Sequence, residues 1–195
     1  MARKRTVKRP HLASRIKSLI RVPIVNQATD YTCGVAALLS VLYYWDKDEE
    51  IYESELAVEL NADPEDGVVS AAIVRFAASH GFKAPRKVGL TLEELEGFLR
   101  AGKPVIVLFQ AWPDSAKPGW EAGWDDGHFA VAIGYDAHNI YFMDPSTLGN
   151  YTYLPKEEFL KRWHDWDGDE QVNHLGVPVW RGRPSFDQRI VVRMG

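Results

Sequence analysis

The sequence holds a single cysteine, Cys33, and its surroundings suggest a chemistry for the thiol. It follows the polar stretch Gln27-Ala-Thr-Asp-Tyr-Thr32 and opens an apolar run from Gly34 to Trp45 that contains no proline. A helix that is apolar on every face belongs in an interior, so a buried helix is predicted here, with Thr32 as its N-cap. Cys33 then sits in the first turn, where unpaired backbone N–H groups and the positive end of the helix dipole favour a thiolate. Such a thiolate becomes a useful nucleophile when an imidazole lies beside it and a third group orients that ring. His128 and Asp144 are residues of the right types for those two roles. The amide of Gln27, ahead of Cys33, would complete the set by facing a developing oxyanion together with the Cys33 backbone N–H.

These residues need elements to hold them. His128-Phe-Ala-Val-Ala-Ile-Gly134 and Asn139-Ile-Tyr-Phe-Met-Asp144 read as two strands about a Tyr135–His138 turn, a hairpin pattern. If the hairpin turns near Ala137, Asp144 lies across from His128 or one or two residues off it. A carboxylate there is expected to accept the Nδ1–H and fix the tautomer. Ile20 to Gln27 alternates enough for a short edge strand, with Pro23 favouring an edge. Ser54–Leu60, Val68–His80 and the stretch from Thr91 to Arg100 read as helices. The second is stopped by Gly81 with His80 as a capping group, and the third opens on a Thr91–Glu94 capping box. Pro104–Gln110 is a buried strand. Lys156–Trp166 is predicted helical, and Val177–Trp180 and Arg189–Arg193 are predicted late strands. Helices first and then a mostly antiparallel sheet make an α+β fold.

Between Ala111 and Gly127 runs a loop carrying Trp112, Trp120 and Trp124. A loop this long inside a compact domain tends to be functional. With Gly127 it is expected to form a lid or wall of a substrate groove beside His128.

The whole chain limits the alternatives. Its 195 residues, 46% hydrophobic and 26% charged, suit one domain with a tail. One cysteine excludes an internal disulfide, and no apolar run nears the roughly 18 residues that span a membrane. No apolar signal-peptide core follows the basic start, so the cytoplasm is the expected location. Residues 1–21 carry eight Lys/Arg and no acid, which leaves the rest at −12. The division expected is a basic, flexible arm over 1–20 and one domain over 21–195. An acidic body argues against nucleic acid as the main partner and would accept a basic peptide. Nothing in the sequence sets an oligomeric state.

Taken singly, each candidate also has a plain structural reading. A lone cysteine is commonly a small buried hydrophobe, a histidine at a strand start a satisfied core or surface group, and Asp before Pro a turn former. Four pieces of the right chemical type in compatible places favour a site.

Several stretches carry a family resemblance: Val22-Pro-Ile-Val-Asn-Gln-Ala-Thr-Asp-Tyr-Thr-Cys-Gly-Val-Ala-Ala37, Gly127-His-Phe-Ala-Val-Ala-Ile-Gly-Tyr135 and Tyr141-Phe-Met-Asp-Pro-Ser146. Together they resemble the peptidase C39-like branch of the papain-like cysteine proteases, over nearly everything from Val22 to Phe159. The resemblance implies a papain-like fold with Cys33 as nucleophile, His128 as base, Asp144 as orienting acid and Gln27 in the oxyanion hole. It implies a peptide or protein substrate and neither metal nor cofactor. Where the family usually has Pro after Cys-Gly, this chain has Val35, a small change because Pro there only stiffens the helix start. Better-known members are fused to ABC transporters and cut leader peptides after a double glycine. This chain shows neither a membrane region nor an ATPase, so that substrate does not carry over. Asp165–Glu170 departs from a calcium loop in the place of its glycine and the lack of a closing Glu, and reads as a solvated acidic loop.

The expected activity is hydrolysis of a peptide bond through a thioester acyl-enzyme. A catalytically silent peptide-binding module and an acyl transferase using the same residues are the alternatives.

Overall fold

A computed structural model describes residues 16, 18–46, 50–112, 119–191 and 193. Most of the basic arm, residues 1–15 and 17, lies outside them. The first helix, α1 (Cys33–Trp45), is buried from Gly34 through Leu42 and again at Trp45. With no polar face to turn outward, it is covered on all sides. Three shorter helices follow: α2 (Glu53–Glu59), α3 (Ser70–Ser79) and α4 (Leu92–Arg100). Thr91 Oγ1 accepts the Glu94 N–H at 3.1 Å while the Glu94 carboxylate accepts the Thr91 N–H, the reciprocal cap read from the sequence. His80 closes α3, its Nδ1 2.9 Å from the Phe76 carbonyl oxygen.

The sheet is antiparallel throughout, in the order β4-β3-β2-β1-β7. Its strands are β1 (Val105–Gln110), β2 (Gly127–Tyr135), β3 (Asn139–Met143), β4 (Thr152–Pro155) and β7 (Gly176–Pro178). The central strand β2 pairs with β1 from Val105↔Ala132 to Gln110↔Gly127, and α1 packs on it. Gly34 brings the start of α1 against this strand, since a Cβ there would stand 3.1 Å from Phe129 and 3.3 Å from Val68. Helix α5 (Lys156–Arg162) extends an aromatic layer in which Phe109, Phe142, Phe159 and Trp163 are in ring contact. A second, two-stranded sheet pairs β5 (His164–Asp167) with β6 (Glu170–Asn173).

Four sequence-based expectations give way. Ile20–Gln27 is not a strand. The pairing of β2 with β3 slips between Ala132 and Gly134, which leaves the Ile133 carbonyl to accept the Ile20 N–H at 2.7 Å. Further along, Ser40 Oγ donates to the Pro23 carbonyl at 2.6 Å, so the segment is held by single bonds rather than a ladder. The helix begun at Lys156 stops at Arg162. Trp163 is fully buried between Phe159 and His174, and its backbone carbonyl accepts from His174 N–H, which turns the chain into β5. Asp165–Glu170 is therefore part of a hairpin and not a solvated loop. Asp165 is 4% exposed, and Asp167 is bound by Arg86 at 2.8 Å and by Ser70. Residues 189–191 form no ladder, with Ile190 and Val191 exposed and the Ile190 N–H donated to the Asp187 carbonyl in a turn.

Candidate active site

Cys33 is the first residue of α1, and its sulfur accepts the Phe129 backbone N–H at 3.5 Å. Thr32 holds the N-cap position, but its hydroxyl makes no cap bond; it turns back to accept the Thr29 N–H at 3.2 Å. The first-turn N–H groups of α1 thus stay available near the thiol. His128 is 2% exposed and lies beside the thiol.

The imidazole is held from its far side. His128 Nε2 lies 2.8 Å from Asp144 Oδ1, which reverses the expected use of Nδ1. The register sets the approach: Met143 pairs with Val131, so Asp144, just past the end of β3, lies within the expected two residues of His128 and reaches it diagonally. Asp144 is itself fixed. Its Oδ1 accepts the Ser146 N–H at 2.9 Å and hydroxyl at 2.8 Å, and its Oδ2 accepts the Thr147 hydroxyl at 2.8 Å. Ser146 and Thr147 were not singled out from the sequence, although Asp-Pro-Ser-Thr is the pattern of a side chain that binds its own turn.

The charges follow from these contacts. Burial works to raise the Cys33 thiol. The hydrogen bond and charge of His128, with the N–H groups of Phe129 and Gly34, outweigh it and hold the thiol below its ordinary value. Burial works against the imidazolium too, yet the bonds to Asp144 and Cys33 and their charges raise His128 to about 9. Asp144, resisting burial through His128 and Ser146, stays well below the usual carboxylate range. Both shifts run toward a thiolate–imidazolium pair.

Gln27 is drawn to the same corner. Its backbone N–H donates to the Pro145 carbonyl at 3.1 Å, and Asn26 Nδ2 donates to the carbonyls of Pro145 and Thr147. Its side-chain Nε2 gives one hydrogen to the Thr29 carbonyl at 2.7 Å, which leaves a second; Oε1 is buried with no partner among the described residues.

A cavity of about 330 Å³ opens beside the thiol, bordered by Cys33, Trp124, Gly127, Phe129 and Asp165 among others. Trp112 lies elsewhere, its half-exposed ring edge-on to His128 with centroids 5.2 Å apart. Trp120 borders neither the thiol nor the cavity; its ring lies 3.5 Å from the Arg162 guanidinium in a short 3₁₀ turn, Trp120–Ala122. No group of three or more His, Cys, Asp or Glu among the described residues is placed to hold a metal. No described helix is long and apolar enough to cross a membrane.

A buried helix bearing a cysteine at its start, packed on an antiparallel sheet that carries histidine and aspartate, is a papain-like α+β fold. The chain belongs to the Peptidase_C39 like family, whose pattern matches residues 19–169. The fold recurs in a candidate C39-like peptidase from Bacillus anthracis, at 21% identity, with a TM-score of 0.65 over 86% of this chain and 98% of that one. It recurs in a double glycine motif protease from an AMS/PCAT transporter, crystallised with its leader peptide, at 20% identity and TM-score 0.59 over 84% and 94%. The peptidase domain of Streptococcus ComA, a bifunctional ABC transporter of a quorum-sensing pathway, is similar at 19% identity and TM-score 0.60 over 82% and 98%. No curated protein sequence matches the chain.

Proposed function

We propose that this protein is a cysteine peptidase with Cys33 as nucleophile, His128 as acid and base, and Asp144 as the group that orients the ring. The observation that carries the reading is the contact of His128 Nε2 with Asp144 at 2.8 Å, in an imidazole that also interacts with a thiol at a helix start. The Cys33 thiolate adds to a peptide carbonyl, and the oxyanion that forms is met by the Cys33 N–H and the second Nε2 hydrogen of Gln27. As the intermediate collapses, the C–N bond breaks and His128 gives its proton to the leaving amine, leaving a thioester. Water, deprotonated by the now neutral imidazole, then attacks the thioester; the C–S bond breaks, releasing the acyl part as a carboxylic acid and returning the Cys33 thiolate beside the reprotonated ring. Trp124 and Gly127 border the groove, and Trp112 shields the outer edge of His128 from solvent. A relative of the same fold crystallised with a leader peptide supports a peptide as the substrate class.

The test is digestion of a mixed peptide library by the wild-type protein and by Cys33→Ala and His128→Ala variants. Cleavage by the wild type that both variants lose is the expected result. A folded wild-type protein that cuts nothing, with a Cys33 no more reactive than free cysteine, overturns the reading. Added amines that outcompete water for the acyl group would instead mark a transferase.

A further inference from the structure

The cavity beside Cys33 has a one-sided chemistry. Asp30, Glu65, Asp66, Asp125 and Asp165 border it, and no Lys, Arg or His appears among its described lining residues. Four of the five lie on exposed walls and, alone, would describe only an acidic surface. Asp165 is different. It is 96% buried, since only 4% of its surface is exposed, and it still borders the cavity. Its hydrogen-bond donors are the Trp166 backbone N–H at 2.8 Å and the Gln110 side-chain amide, both neutral. Among the described residues it joins no ion pair. A neutral asparagine would accept the same hydrogen bonds without the cost of burying a charge. The fold also makes room for this carboxylate: a Cβ on Gly127 would stand 1.5 Å from Asp165 Oδ2.

We propose that this cavity receives a cationic side chain, lysine or arginine, of the peptide that Cys33 attacks, with Asp165 as the anionic group at its floor. This rests on the reading of Cys33 as a peptidase nucleophile. The cavity's 330 Å³ lies in the range of small-ligand pockets, roughly 300–1,000 Å³. A bound metal is the weaker occupant, because no three of these acids converge as ligands among the described residues. A long cationic side chain needs no such convergence. Its charge meets the buried carboxylate while the outer acids draw it in from solvent. The specificity would therefore be set near the scissile bond, by a residue close enough for its side chain to enter a cavity that the thiol borders.

The experiment has two arms. In the first, Cys33 is modified by a cationic and an anionic methanethiosulfonate (aminoethyl and sulfonatoethyl), with each rate normalised to free cysteine. The cationic reagent should react on the order of tenfold faster than the anionic one. Asp165→Asn should cut that preference about threefold or more. If Asp165→Asn does not fold, the exposed pair Glu65→Gln/Asp66→Asn carries the same test. A preference near unity, or one unmoved by both sets of substitutions, overturns the proposal. In the second arm, kcat/KM is compared for peptides with lysine or its neutral isostere norleucine at each position near the cut bond. Equal cleavage of both overturns the cation proposal and leaves the peptidase reading standing. A strong preference for cationic thiol reagents with no peptide cut overturns the peptidase reading and supports the cationic cavity.

Discussion

Asp144 reaches His128 diagonally across the hairpin, its Oδ1 2.8 Å from Nε2, while Ser146 and Thr147 close around the same carboxylate. The acid is therefore held by the turn that follows it before it holds the histidine. Four predictions follow from this and from its neighbouring contacts.

The Ser146 and Thr147 hydroxyls stabilise Asp144 only while it is ionised. The lowered carboxylate contributes stability above the ordinary value of about 3.9 and loses it as pH falls through its own lower value. Ser146→Ala with Thr147→Val should cost about 1–2 kcal/mol at pH 7. The difference from wild type should persist at about pH 4 and shrink only in stronger acid, as pH falls through the carboxylate's own lowered value. Urea titrations in a series from pH 7 down into strong acid measure it, and a loss that stays equal throughout would contradict the account.

The reactive form of Cys33 depends on the imidazolium. Below its ordinary value the Cys33 thiol still ionises, while His128 keeps its proton up to about pH 9. Iodoacetamide should alkylate the wild-type thiol at pH 6.5 about tenfold faster than it alkylates His128→Ala. In the variant, burial is left unopposed by the ring, so its rate should climb only above about pH 8.5. Identical pH profiles would show that the ring does not tune the sulfur.

Gly127 and Asp165 compete for one space, with a Cβ on the glycine 1.5 Å from Oδ2. Gly127→Ala should destabilise the protein by about 1–3 kcal/mol through overpacking. Adding Asp165→Ala should recover much of that loss, giving a double-mutant coupling of about 1 kcal/mol or more. Thermal melts of the four proteins give the cycle, and strict additivity would show the two sites to be independent.

Asp165 itself weakens the fold at neutral pH. Desolvation, with the charges of Asp125 and Asp126, raises it to about 6 against the opposing Trp166 N–H and Gln110 amide. A carboxyl raised on folding contributes stability below its unfolded value of about 3.9 and loses it as pH rises through about 6. Asp165→Asn should therefore stabilise by about 1–2 kcal/mol at pH 7.5 and by little at pH 4. A gain of equal size at both pH values would rule out the carboxylate's charge as its source.

Much of this was legible because it is local. The apolar run after Cys33 can only be a buried helix, the Thr91–Glu94 pair declares a helix start within four residues, and two apolar stretches about Asp136–His138 declare a hairpin. What was missed depends on partners distant in the chain. The ring nitrogen given to Asp144 depends on how the buried imidazole is turned by its surroundings, which no local pattern encodes. Asp165 looks like one more surface acid because the glycine that makes room for it is Gly127. Residues 20–27 have strand-like alternation, but the bonds that hold them come from Ile133, Ser40 and Pro145. Trp120 shares a loop with Trp112 and Trp124, yet Arg162, at the end of α5, takes its ring away from the thiol.

The sulfur and the backbone group that binds it are separated by 96 positions in the chain. During synthesis, Cys33 leaves the ribosome long before His128 exists, and on an unfolded polypeptide it is an ordinary thiol with a value of about 8.5. Only when the hairpin has closed and α1 has docked do the contacts that lower the thiol form. A nascent or misfolded copy lacks them, so the reactivity of Cys33 is expected to report completed assembly of the domain.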